Sequence, residues 1–258
     1  MTEPAERDAP FAWPRVRVID ARAPWRWLRR GWEDLRAAPA PGLFYGAVLA
    51  AMGFALTRYY AGAVGIALTT GFLLVGPFLA IGLYEVSRRR EQGASVALAP
   101  TLTAWKANFA SIGFYALILT LSLAVWIRVS VVVVALFFPD GTPTLVEFLA
   151  ELGRSPDAWA FLLAYVAAGG ALALFVFATS AVSLPMLLDR VEMDVVSAMI
   201  VSFNVLRTNL HPMLLWGAIV VMLTALGFAS LYVGLIVALP VIGYGTWHAY
   251  RETVAAAD

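Results

Sequence analysis

The sequence contains no cysteine, two histidines and, among eighteen basic residues, a single lysine, Lys106. Without cysteine there is no disulfide, no thiol nucleophile and no iron–sulfur cluster. The histidines, His211 and His248, fall at the ends of apolar runs. A six-coordinate haem held in a helix bundle needs paired histidines inside the spans, and there are none. GxSxG, HExxH and P-loop patterns are missing, and no acidic pair lies within an apolar run. These absences set the expectation of a protein that is not an enzyme and carries no cofactor. Charge is also scarce. Asp, Glu, Lys and Arg make up 14% of the chain and the net charge is +1, which gives no bulk electrostatic case for nucleic acid.

What the chain has in quantity is hydrocarbon: 61% hydrophobic residues and a mean hydropathy of +0.79. A water-soluble surface could not carry this. Several apolar runs reach the roughly 20 residues that cross a bilayer core. They are continuous rather than alternating, which favours helices over a barrel. The fold class expected is all-α and polytopic. Six transmembrane helices, at about 43–59, 62–86, 110–137, 158–188, 212–227 and 229–250, form three hairpins in one domain over 23–254. The run 212–249 also fits one very long helix. Residues 1–22 mix Pro, Asp, Glu and Arg without periodicity and read as a disordered or loosely attached tail. No cleavable signal is visible, so the run after Pro41 reads as a retained anchor.

A short amphipathic segment precedes each hairpin. Trp25, Leu28, Trp32 and Leu35 form one stripe, with Arg26, Arg29, Arg30, Glu33 and Arg36 on the other faces. This suits a helix lying among lipid headgroups, or one packed on the end of the bundle. Leu98, Leu102, Trp105 and Phe109 repeat the pattern. Asp194 is placed to cap a third helix, with Val195, Met199, Phe203 and Leu206 on one side. In the acidic loop after the third span, Thr144 and Glu147 fit a capping box. Gly42 and Gly46 form a small-xxx-small pair that permits close helix contact.

The basic residues are unevenly placed. With six spans and the N-terminus inside, 15 of the 18 lie in inner segments; Arg58 and Arg154 are outside and Arg128 is within a span. By the positive-inside rule both termini are cytoplasmic, as in an inner-membrane protein. The chain also repeats itself. Gly71/Gly234, Pro77/Pro240, Gly82/Gly245 and Arg88/Arg251 coincide at one offset, and Leu35/Leu206, Pro41/Pro212 and Gly46/Gly217 at another. This pattern fits three successive units, each an amphipathic helix followed by a hairpin.

Five polar residues are candidates for chemistry. Arg128 is the one ionisable residue well inside a span, at an insertion cost of about 2.5–3.5 kcal/mol. It reads either as an anion contact or as an arginine that snorkels outward. Glu85, Asp189, His211 and His248 fall at one membrane face, where they either converge on a metal or proton site or stand as separate solvated anchors.

Several strings come in an order that resembles a known family. They are Gly31–Leu35, Gly71–Glu85, Trp126–Arg128, Leu184–Arg190, Met213–Trp216 and Pro240–Arg251. The chain resembles the bacterial predicted integral membrane proteins catalogued as domain of unknown function 2189 over about residues 23–254. The resemblance implies a bacterial inner-membrane location and a six-helix bundle, and no activity. In that family's pattern position 244 is often His, where this chain has Tyr244. The functional expectation is a non-enzymatic accessory or scaffold subunit, in contact with the lipid bilayer and other membrane proteins. The alternative is a small-solute permease that uses Arg128 and the Gly-Pro broken helices.

Overall fold

The structure is a computed structural model that describes residues 13–60 and 62–255. Twelve α-helices make up almost all of it: α1 (Ala23–Ala37), α2 (Pro39–Tyr59), α3 (Gly62–Leu79), α4 (Ile81–Glu91), α5 (Leu98–Leu102), α6 (Phe109–Phe137), α7 (Leu145–Leu152), α8 (Pro156–Ser180), α9 (Ser183–Asp189), α10 (Val195–Thr208), α11 (Leu210–Ala229) and α12 (Leu235–Thr253). A 3-10 turn, Ala104–Asn108, leads into α6. Four segments are long and apolar enough to cross a membrane: Pro39–Tyr59, Ala104–Phe137, Pro156–Asp189 and Leu210–Ala229.

The helix starts follow from local chemistry. Thr144 and Glu147 form the expected capping box, which satisfies two of the amide groups left over at the start of α7. Asp194 Oδ1 accepts from the Ser197 N–H and caps α10. Its carboxyl is held below the ordinary range, chiefly by the Ser197 hydroxyl and then the Ser197 amide. Pro156 stands in the first turn of α8, where its missing N–H costs nothing.

Three segments differ from the sequence reading. The run 62–86 is two helices, because Pro77 ends α3 and the chain turns at Ala80 before α4. The run 158–188 breaks likewise at Ala181–Val182. The turn expected near Gly227 falls later, at 230–234, so 212–249 is two helices and the second extends to Thr253. Leu231 and Tyr232 take φ values of 52° and 70°, a left-handed conformation that Cβ-bearing residues rarely adopt. Ser230 braces this turn, accepting from the Gly234 N–H and donating to the Gly227 carbonyl.

Part of the expected loose tail, residues 1–12, lies outside the described residues. Residues 13–22 are not loose. Val16 pairs with Val254 in an antiparallel bridge. The Arg17 N–H donates to the Thr253 carbonyl, and the Ile19 N–H to Asn209 Oδ1. Main-chain hydrogen bonds need no hydrophobic periodicity, so composition gave no sign of this strap.

α12 is the hub, packing on α1, α2, α4 and α11, while α3 packs on α6 and α6 on α8. Two glycines set the closest approaches. A Cβ on Gly31 of α1 would overlap the Val241 carbonyl and stand 2.9 Å from the Gly245 amide. A Cβ on Gly46 of α2 would overlap the backbone of Ile236. The Gly42/Gly46 pair thus does meet a neighbouring helix closely.

α1 presents one face to the bundle and leaves its two other tryptophans half exposed. Trp27, Gly31, Asp34 and Leu35 face inward, with Trp27 edge-on to Trp216 at 5.6 Å and 88°. Trp25 and Trp32 are half exposed and alternate with exposed Arg22, Arg29 and Arg36 along the helix. Lipid is as apolar as a protein core, so in a membrane protein an apolar stripe does not reveal which way it faces.

Two substitutions test this packing. Gly46→Ala should lower stability by about 1–3 kcal/mol, because the backbone it meets cannot swing aside. Leu231→Gly should raise it by about 1 kcal/mol by removing left-handed strain from an exposed side chain. Thermal unfolding in mild detergent, followed by tryptophan fluorescence, measures both.

Candidate functional site

The arginine-rich end of the bundle carries several separate groups of ion pairs, one of which joins three helices at Asp34. On α1, residues 27, 31 and 34 share one face, and Gly31 lets that face lie against α12. Asp34 is 6% exposed. Its Oδ2 lies 3.0 Å from His248 Nε2 of α12 and accepts from Ser87 Oγ of α4, while Oδ1 is paired with Arg90. One buried carboxylate therefore joins three helices, and every partner is a potential donor. That is the condition under which a buried charge is tolerable.

A second group lies beside it. Glu85, 2% exposed, accepts from Arg88 at 2.7 and 3.1 Å and from Arg89 at 2.6 Å, one turn on in its own helix. Glu91 accepts from Trp247 Nε1 at 3.1 Å and pairs with Arg251. Arg251 also pairs with Asp189 at 3.3 Å, and Asp189 accepts from the Tyr250 hydroxyl at 2.7 Å. Arg190 reaches Tyr250 and the Ala255 carbonyl. On the outer flank Glu252 accepts from Trp27 Nε1 at 2.9 Å and pairs with Arg26. Glu252 raises the Arg26 guanidinium above its ordinary range, and Asp20 adds to this. The Asp20 carboxyl is lowered, first by the Arg22 amide and then by Arg26.

The five polar residues singled out from the sequence separate here. Glu85, Asp189 and His248 lie at this end, but each has its own partners. His211 is exposed at the start of α11, with no hydrogen bond or ion pair to the described residues. Among the described residues no group of three or more His, Cys, Asp or Glu side chains could hold a metal ion. Arg128 points outward from α6 and has no partner among the described residues. α6 is about 43 Å long against a hydrocarbon core of about 30 Å. An arginine nine residues from its end is within snorkelling reach of the interface.

Sequence reading missed the centre of the site. Asp34 was visible as a neighbour of Gly31, three residues apart and so on one face, but its partners are 53 to 214 residues away. Ser87 and Arg90 were hidden in a run that reads as a stop to the preceding span. Serine, histidine and aspartate meet here, yet not as a nucleophile's relay. Ser87 donates to the carboxylate and not to the imidazole, so the serine–histidine contact of such a relay is not made. The arrangement fixes charge between helices.

Residues 65–189, from within α3 to the end of α9, match the family model described as predicted integral membrane protein (DUF2189). Over that segment the chain is similar to the family. The DUF2189 match contains Glu85, Ser87, Arg90 and Asp189, while Asp34 and His248 reach the site from either side of it. Comparison with the curated proteins and with the solved structures gave no match.

Asp34→Asn should cost about 1–3 kcal/mol, because it takes the counter-charge from a partly buried Arg90 and leaves Ser87 or His248 short of an acceptor. Tyr244→Phe should act in the opposite direction. The Tyr244 hydroxyl is buried with no hydrogen-bond partner, so its removal should be neutral or stabilising by about 1 kcal/mol. Unfolding midpoints of the two variants against the parent chain check both signs.

Proposed function

We propose that the chain is a non-enzymatic accessory or scaffold subunit of a membrane complex, held in a bacterial inner membrane by six spans. In this reading α3 with α4, and α12, cross the bilayer beside the four long apolar segments, and the arginine-rich end faces the cytoplasm. The order of elements supports it: α1, α5 with the 3-10 turn, and α10 each precede one hairpin, as the internal repeat suggests. The observation that carries the non-catalytic reading is the state of the buried acids. Asp34, Glu85 and Asp189 are each paired with cations or donors of this chain, which uses them for cohesion. Half-exposed apolar side chains such as Leu121, Leu136 and Val166 line the outward faces of the spans and are suited to lipid or to another membrane protein.

The permease reading retains one supporting observation, the break between α3 and α4 at Ala80 beside Pro77. Arg128 adds little to it, since this side chain faces away from the helix interior.

The chain lacks cysteine, so single cysteines report topology cleanly. Asp140→Cys and Leu231→Cys should react with a membrane-impermeant maleimide added to intact cells. Gly93→Cys should react only after the membrane is opened. Labelling of Gly93→Cys in intact cells would overturn the six-span orientation. For the role, tagged protein extracted from native membranes in mild detergent should migrate in an assembly with other membrane chains. A stable monomer that changes a solute's flux would support the permease instead.

A further inference from the structure

A cavity of about 380 Å3 lies between α3, α8, α11 and α12. Its volume is near the lower end of small-molecule sites, roughly 300–1,000 Å3. Phe72, Phe177, Trp216 and Leu239 supply hydrocarbon from the four helices. Leu174 of α8 and Val221 of α11 line it as well, yet each is about half exposed, at 49% and 54%. Both lie mid-way along candidate spans, so the mouth opens sideways between α8 and α11 at bilayer depth.

The wall also holds Thr224, which behaves unlike the other threonines of the long helices. Thr246, on the same wall, donates to the Ile242 carbonyl at 2.8 Å. Thr69, Thr120 and Thr179 likewise donate to the carbonyl four residues back. That is the usual resort of a hydroxyl in an apolar helix. Thr224 is 1% exposed and its Oγ1 has no partner. A buried hydroxyl left in this state costs about 1–3 kcal/mol.

We infer that the cavity is a site for one acyl chain of a bilayer glycerolipid, whose ester carbonyl accepts a hydrogen bond from Thr224 Oγ1. An apolar cavity stays dry, and the molecules at this mouth are lipids at very high local concentration. The acceptor oxygens those lipids carry nearest their tails are ester carbonyls. Thr224 lies five residues before the end of α11, about 8 Å inside the apolar segment, so a glycerol ester reaches it by being drawn in that far with its tail. From there the tail has about 12 Å of wall along α11 to Trp216. The volume admits one aliphatic tail and not two.

The test uses the full chain, reconstituted into vesicles of diacyl phosphatidylcholine or of its dialkyl ether analogue, which lacks the carbonyls. Both are extracted in mild detergent and weighed intact by native mass spectrometry. The chain should retain one ester lipid, and retain the ether lipid about two- to tenfold less, the worth of one hydrogen bond. Thr224→Val should lower ester retention to the ether level, and Thr224→Ser should restore it. Ala218→Phe, which fills the cavity, should abolish retention of both. Matching unfolding midpoints establish that the variants are folded. Equal retention of ester and ether lipids by the parent chain overturns the assignment, as does undiminished ester retention by Thr224→Val or Ala218→Phe.

Discussion

The rest of the structure depends on making a buried carboxylate at position 34 tolerable. An isolated charge out of water costs several kcal/mol, and Asp34 is almost fully enclosed. Its neutralisation needs α4 and α12 at hydrogen-bond distance at the same time, because Ser87 and Arg90 come from one and His248 from the other. That in turn needs α1 to lie directly on α12, which only a residue without a side chain at position 31 permits. The sequence of causes runs from a missing Cβ to a close crossing, and from the crossing to a shared charge. Glu91, Asp189 and Glu252 continue the same pattern outward, each joining α12 to another helix. The basic end is held largely by ion pairs, while the opposite end relies on aromatic contacts such as Tyr232 against Phe54 and Phe228, with the Tyr232 hydroxyl donating to Thr57.

Much of the fold was legible in the sequence because it is local. The apolar runs locate α2, α6, α8 and α11, and the caps at Thr144 and Asp194 need only residues three apart. The family was legible from ordered strings. Facing direction was not. The stripe of Trp25 and Trp32 fits either lipid headgroups or the end of the bundle; both tryptophans are half exposed, and Trp27, on the opposite face, is the residue fully buried against Trp216. Nor did hydropathy show the breaks at Ala80 and Ala181, since apolar residues continue across both. The centre of the site was the least legible element. A carboxylate 214 residues from its histidine leaves no mark on either stretch of sequence. The polar candidates at one face fit either a converging site or separate anchors, and Glu85, Asp189 and His248 each have partners of their own.

Polar side chains within the spans follow one rule, and its exceptions are informative. Most hydroxyls return to their own backbone, and Trp126 Nε1 finds the Ala67 carbonyl and the Thr70 hydroxyl. Ser130 and Tyr165 satisfy each other at 2.7 Å. Against that background the unpartnered hydroxyls of Thr224 and Tyr244 stand out. The first lines a cavity open to lipid, and the second is sealed in a small cluster with Leu35, Leu83 and Val241. Identical chemistry thus has two different meanings, set by whether anything can reach the oxygen.

The pairing of α1 with α12 also has a consequence for how the protein is made. α1 leaves the ribosome long before α12. At about 5–20 residues per second, Asp34 waits roughly 10–40 s before His248 exists. To the end of that interval the nascent chain carries an acid with at least one of its three partners missing, and Val16 has no Val254 to pair with. A chain that stops early remains visibly incomplete at its amino-terminal end. The same bonds that hold the bundle thereby distinguish it from chains that stop before α12.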